Sequence, residues 1–278
     1  MAKRNSIARG KGLPPPYGRQ HGLVLLNGLA EQPETWFRNQ RYWRRHFDVS
    51  MPNLFAYDGV VLHQRLEAGL PITVDFLVGQ LHRHLEEFVQ TPPYHLVANS
   101  MGGKIAIEYA ARYPEQVASM VLICPSGLSA GEELPIVDGV RRFGVGSIIE
   151  SVFFNPRCIE PALVDFYTRQ SRNRRWRTGF ANTIRGTKNH CVRDRLVDVK
   201  QPTLLISGRE DRIVKCEEVR AAAGILPHGQ FLMIPRCGHA AQIEKDRLIN
   251  RIVVRYLTGR MPAPRNVEQG SAAGLPRA

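Results

Sequence analysis

A chain of 278 residues, 43% hydrophobic and 23% charged, suits one large core with a small inserted subdomain, which excludes a disordered or fibrous protein. No run approaches the roughly 18 apolar residues of a membrane span, and the first twenty residues lack the apolar stretch of a signal peptide, so a cytoplasmic protein is expected. The net charge of +13 raises nucleic acid as a partner, yet the excess collects in residues 1–20, which hold five basic residues and no acid, and in 169–195, which hold nine against Asp194 alone; that pattern fits solvated tails and faces, and no specific nucleic-acid binding is expected.

In chain order, a basic tail covers residues 1–20, and the first buried strand is expected at Leu23 to Leu26. Leu77, Leu81, Leu85 and Phe88 have helical spacing. A strand at His95 to Ala98 runs into a helix over 101–113, apolar except for a stripe of Lys104, Glu108 and Arg112, and a third strand is read at Met120 to Cys124. From Gly127 to Asp198 no strand is apparent, and the pattern is helical and irregular. Strands resume at Thr203 to Ile206 and Phe231 to Ile234, each expected to be buried on both faces, and Ile249, Ile252, Val253, Tyr256 and Leu257 mark a last amphipathic helix. Alternating strands and helices predict an α/β fold with a mostly parallel central sheet and helices on both faces. Residues 21–126 and 199–258 form its core, 127–198 a helical cap (lid) insertion, and 259–278 a flexible C-terminal tail.

The chemistry begins at Ala98-Asn99-Ser100-Met101-Gly102, a serine at a strand-to-helix junction with small residues two positions to either side. That is the pattern of a nucleophile elbow, in which a tight turn presents the hydroxyl at a helix amino terminus; the plain alternative is a helix cap. A serine hydroxyl needs a histidine to take its proton and a carboxylate to hold the imidazole. Asp211 follows the strand at 203–206 and His239 follows the strand at 231–234, in the chain order Ser, Asp, His; Glu210 is the close rival to Asp211. For the oxyanion, the backbone N–H groups of Leu29, after the Asn27-Gly28 turn, and Met101 are the candidate donors. The five cysteines are odd in number, scattered, and without a C-x-x-C pair or zinc-ligand spacing; free thiols are expected, with no chemistry assigned to Cys237 despite its place beside His239. No cofactor and no metal are expected.

On these motifs, over roughly residues 22–257, the chain resembles the α/β-hydrolase superfamily. The elbow, the Gly208-x-x-Asp211-x-x-Val214 loop and Cys237-Gly238-His239 are most similar to lidded carboxylesterases and to carbon–carbon bond hydrolases that cleave meta-ring-fission products. It departs from them at Asn27-Gly28, where His-Gly is common, and at Leu29-Ala30-Glu31-Gln32 and Ala240, where the carbon–carbon hydrolases carry a Gly/Pro-rich turn and a tryptophan. The antiparallel hairpin that usually opens the fold has little room before Leu23. The resemblance implies a serine esterase acting on a small carboxylic ester with an apolar part, through an acyl-serine. The alternatives are cleavage of a carbon–carbon bond in a vinylogous diketone acid, or a small-ligand binding protein with little turnover. In the insertion, Ile148, Ile149, Val152, Phe153 and Phe154 pack on the core or line a pocket, and Arg174, Arg175 and Arg177 around Trp176 form a solvated face or hold a substrate carboxylate. Oligomeric state is left open.

Overall fold

A computed structural model describes residues 21–29, 31, 33–89, 92–129 and 151–261; the N-terminal tail, the C-terminal tail from residue 262, and Ile148 and Ile149 lie outside the described residues. Among these, six strands form one sheet: β1 (Leu23–Leu26), β2 (Val49–Ser50), β3 (Tyr94–Asn99), β4 (Val117–Ile123), β5 (Thr203–Gly208) and β6 (Gly229–Ile234). Their spatial order is β2-β1-β3-β4-β5-β6, and every pairing is parallel. The chain steps outward from β1 to β2, then crosses back to β3 and continues the other way. This reversal leaves a crevice beyond the carboxyl ends of β1 and β3, the position at which open α/β sheets receive ligands.

Helices cover both faces: α1 (Phe37–Trp43), α2 (Val60–Glu67), α3 (Val74–Phe88), α4 (Met101–Arg112), α5 (Pro161–Arg172), α6 (Arg174–Thr187), α7 (Cys216–Ile225), α8 (Ala241–Glu244) and α9 (Asp246–Leu257). Successive strand residues serve opposite layers, as a pleat requires. Val24 and Leu26 join the core beneath α3, α4 and α7, while Leu23 and Leu25 join Trp43, Ile249 and Val253 beneath α1 and α9. No described helix is long and apolar enough to cross a membrane.

Several details differ from the sequence reading. Cys124 lies past the end of β4 with φ 46, outside the extended region. β6 is only partly buried over most of its length, because it is the sheet edge with a single strand neighbour. The stripe on α4, to which the sequence assigned no partner, is covered: Lys104 and Glu108 are buried at 1% and 3% exposure. The chain between β4 and β5 lies over that face, with Lys104 Nζ donating to the Thr187 carbonyl and Glu108 meeting His190 at 2.8 Å, Arg112 at 3.2 Å and Arg195 at 3.5 Å. Burial pushes the Glu108 carboxyl up, but the His190 hydrogen bond and the two guanidinium groups outweigh it and hold it below the usual value.

Between β4 and β5 the described residues, 151–198, contain helix and no strand. They are fastened to the core by hydrogen bonds from Tyr57 to Thr183 (3.2 Å) and from the Ile72 N–H to Asn182 (2.8 Å).

Candidate active site

Ser100 stands where β3 gives way to α4, with φ 51 and ψ −118, a backbone state that costs a non-glycine residue about 1–3 kcal/mol. Surrounding bonds hold it there. Its N–H donates to the Ile123 carbonyl at 3.0 Å, and its carbonyl accepts from Gly103 at 2.9 Å, Lys104 at 3.3 Å and Ser126 at 3.1 Å. The side chain makes no capping hydrogen bond to α4, so the cap alternative falls. A Cβ on Gly102 would lie 2.5 Å from the Leu26 carbonyl oxygen and 2.7 Å from that of Asn27, which is why the elbow needs a residue without one. Gly102→Ala must therefore push the β1 exit away from the elbow. We expect it to lose about 1–3 kcal/mol in urea unfolding and to lose activity in the fraction that stays folded.

The turn after β6 brings His239 to the same rim. Its N–H donates to the Val152 carbonyl at 2.8 Å, and its own carbonyl accepts from the side-chain amide of Asn99, the residue before Ser100, at 3.3 Å. Asn99 also donates to the Ile123 carbonyl at 3.0 Å, so one buried amide ties the elbow to β4 and to the histidine loop. His239 Nδ1 meets Asp211 Oδ2 at 2.8 Å, with side-chain exposures of 5% and 0%. The other oxygen, Oδ1, accepts from the N–H groups of Ile213 (2.8 Å) and Val214 (3.0 Å). Burial alone would push the Asp211 carboxyl up, but the His239 ring and those two N–H groups pull it below its ordinary value. An ionised Asp211 only accepts, so the bonded Nδ1 carries the proton and Nε2 is left as an acceptor.

Glu210 has a different task. Its carboxylate accepts from the Cys237 N–H at 2.9 Å and its own N–H donates to the Cys237 carbonyl at 3.1 Å, which stitches the loops after β5 and β6 together. Cys124 Sγ, Asp211 and His239 offer ligand atoms within 4.8 Å of one another. Burial and the neighbouring Asp211 push the Cys124 thiol well up, so it stays protonated, and Asp211 already gives both oxygens to hydrogen-bond donors. The arrangement thus has the character of an acid–imidazole pair with a thiol packed against it rather than a metal cradle. Burial likewise raises Cys237, to about 12.

At the exit of β1, the Trp36 indole donates to Asn27 Oδ1 at 3.2 Å and the Gly28 N–H donates to Glu31 Oε2 at 3.1 Å. Among the described residues, neither the Leu29 nor the Met101 N–H has an acceptor in the chain. Across from them, Phe153 packs with Ala240 and Ile243, and the Phe154 N–H donates to Glu244 Oε2 at 2.9 Å, so the described part of the apolar run packs on the histidine loop. Arg174, Arg175 and Arg177 are exposed, while Trp176 turns inward to stack on Phe180 at 4.9 Å. Beside it a cavity of about 170 Å³ is walled by Tyr57, Phe166 and Trp176.

Three residues near this rim had no role assigned from sequence: Asn99, Glu31 and Tyr167. Asn99 is readable only as part of the elbow, and Tyr167 sits in a helix with no motif. Glu31 carried a signal, an acid three residues after the turn glycine of the expected oxyanion loop.

Comparison with known proteins places these features in context. The profile described as "Alpha/beta hydrolase family" matches residues 23–251. Monoacylglycerol lipase ABHD6 of Mus musculus is 22% identical over 266 residues, covering 86% of this chain and 76% of that protein. The 2-hydroxy-6-oxo-6-phenylhexa-2,4-dienoate hydrolase of Burkholderia cepacia is 28% identical over 177 residues, covering 59% of this chain and 62% of its own. A serine hydrolase from the polyaromatic-hydrocarbon-degrading bacterium Cycloclasticus zankles superposes with a TM-score of 0.75 at 21% identity over 87% of this chain and 91% of that one, a likeness of fold.

Proposed function

The chain belongs to the alpha/beta hydrolase family, and from that premise we propose that it is a serine hydrolase cleaving a small carboxylic ester through an acyl-enzyme on Ser100. The observation that carries the reading is the buried 2.8 Å bond between His239 and Asp211, on a loop that Asn99 ties to the strained turn bearing Ser100. In this reading Nε2 of His239 takes the Ser100 proton as Oγ attacks the ester carbonyl carbon, and Asp211 steadies the imidazolium. The Leu29 and Met101 N–H groups receive the developing oxyanion. His239 then gives its proton to the departing alkoxide, and a water molecule, activated by the same nitrogen, adds to the acyl carbon and frees the acid and Ser100.

Residues 127–198 serve as the cap of this site. A cytoplasmic location accompanies the reading. One observation favours a second chemistry, carbon–carbon cleavage: the match to the dienoate hydrolase. Against it stand Glu31 and Ala240 at positions where the sequence departs from such enzymes. A panel of 4-nitrophenyl esters with two- to eight-carbon acyl chains, run beside a ring-fission dienoate, decides between them. Turnover of a short ester at least about 100-fold faster than of the dienoate is expected, and the reverse order would replace the ester reading with the second.

A further inference from the structure

Glu31 is a partly buried carboxylate in the loop that follows β1. Its Oε2 accepts from the Gly28 N–H at 3.1 Å, and the Thr35 hydroxyl bonds to the same carboxylate. A Cβ built on Gly28 would stand 3.2 Å from the Glu31 carboxylate carbon and 3.3 Å from Ser100 Cβ, so the acid and the serine flank one small volume. Two titratable side chains face Glu31, the His239 ring and Tyr167 of α5. Burial pushes the Tyr167 phenol well up, so it stays neutral. Burial also pushes the Glu31 carboxyl up, by more than the Gly28 N–H, the imidazole and Thr35 pull it down, so it lies above its ordinary value.

Tying down a loop does not call for a charge. A neutral oxygen would accept from Gly28 equally well, without the desolvation cost that a carboxylate incurs in such a place. An ionisable acid beside the reacting centre, where a neutral amide would serve the loop, is therefore the feature that requires an explanation.

We propose that Glu31, when ionised, is a specificity-determining residue that restricts this site to uncharged acyl esters, by repelling any substrate whose acyl chain carries a carboxylate into the same pocket. The inference rests on the reading of Ser100 as nucleophile and deepens it by naming the substrate class. Two like charges a few ångströms apart in a water-poor pocket repel strongly, enough for a discrimination of about tenfold or more. The same charge favours the imidazolium that forms on His239 as Ser100 attacks, so an uncharged ester meets no penalty from the acid. Ring-fission acids, which carry a carboxylate, are disfavoured by the same field.

The test compares 4-nitrophenyl pentanoate with the 4-nitrophenyl monoester of glutaric acid, which has the same acyl length but ends in a carboxylate. At alkaline pH, where Glu31 is ionised, wild-type protein should favour the pentanoate in kcat/KM by at least about tenfold. Glu31→Gln keeps the shape and an oxygen for Gly28 while removing the charge, and should shrink that ratio about tenfold or more; Glu31→Asp, which keeps the charge, should retain most of it. Equal turnover of the two esters by the wild type overturns the proposal without recourse to any variant, and so does an unchanged ratio in folded Glu31→Gln. Absence of turnover on both esters, together with failure of Ser100 to take up a fluorophosphonate, overturns the hydrolase reading itself and the inference with it.

Discussion

Ser100→Ala should lower kcat on a responsive 4-nitrophenyl ester by at least about 10⁴-fold and abolish labelling by a fluorophosphonate probe, with thermal stability unchanged or improved. The size of the loss follows from the chemistry: without Oγ there is no acyl-enzyme, and water must attack the ester directly with only the oxyanion donors to help it. Stability should not fall, because the side chain caps nothing and a residue held at φ 51 gains nothing from the hydroxyl. The informative quantity is the label. A variant that still labels places the nucleophile elsewhere. A folded wild-type protein that never labels is a small-ligand binding protein on this scaffold.

Asp211→Asn is the second large effect, with an expected fall in kcat of about 10⁴-fold. The carboxylate is fully enclosed and accepts from His239 Nδ1, so the ring proton is fixed on that nitrogen. An amide presents an NH₂ group there, which turns Nδ1 into the acceptor and moves the ring proton to Nε2, where the base is needed. Measurement of kcat beside Glu210→Gln separates the two neighbouring acids, since Glu210 is committed to the Cys237 N–H.

The same variant carries a stability signature. The Asp211 carboxyl lies below its ordinary value in the folded chain, so it contributes stability above the ordinary carboxylate value and loses that contribution as pH falls through the lowered, folded one. The Tm difference between wild type and Asp211→Asn should therefore be present near pH 6 and close toward pH 3. A gap that widens on acidification would mean that the carboxylate is not stabilised by its partners.

The parts of this molecule that could be read from sequence are those that depend on local pattern. Buried parallel strands such as Leu23–Leu26 and Val117–Ile123 are unbroken apolar runs, and the elbow announces itself through small residues that close approach demands. β2 is two residues long, too short to have a period, and α1 and α2 were not read as separate helices at all. Burial on both faces was read for β6 because its apolar residues are those of an inner strand; only the sheet order shows it to be an edge. The stripe of Lys104 and Glu108 has the spacing of a solvent face, and its true partners, Thr187 and His190, are more than eighty residues away in the chain. Glu31 was passed over for a related reason: an acid in a loop is ordinary until the fold sets it across a glycine from a serine.

The histidine loop is bonded to the backbone of the segment that precedes α5, through the Val152 carbonyl and through Glu244, which accepts from both Phe154 and Gly238. A rigid swing of everything between β4 and β5 would drag the imidazole away from its acid. The strip from Ser151 to Phe154 therefore belongs with the base it holds, whatever the rest of that stretch does.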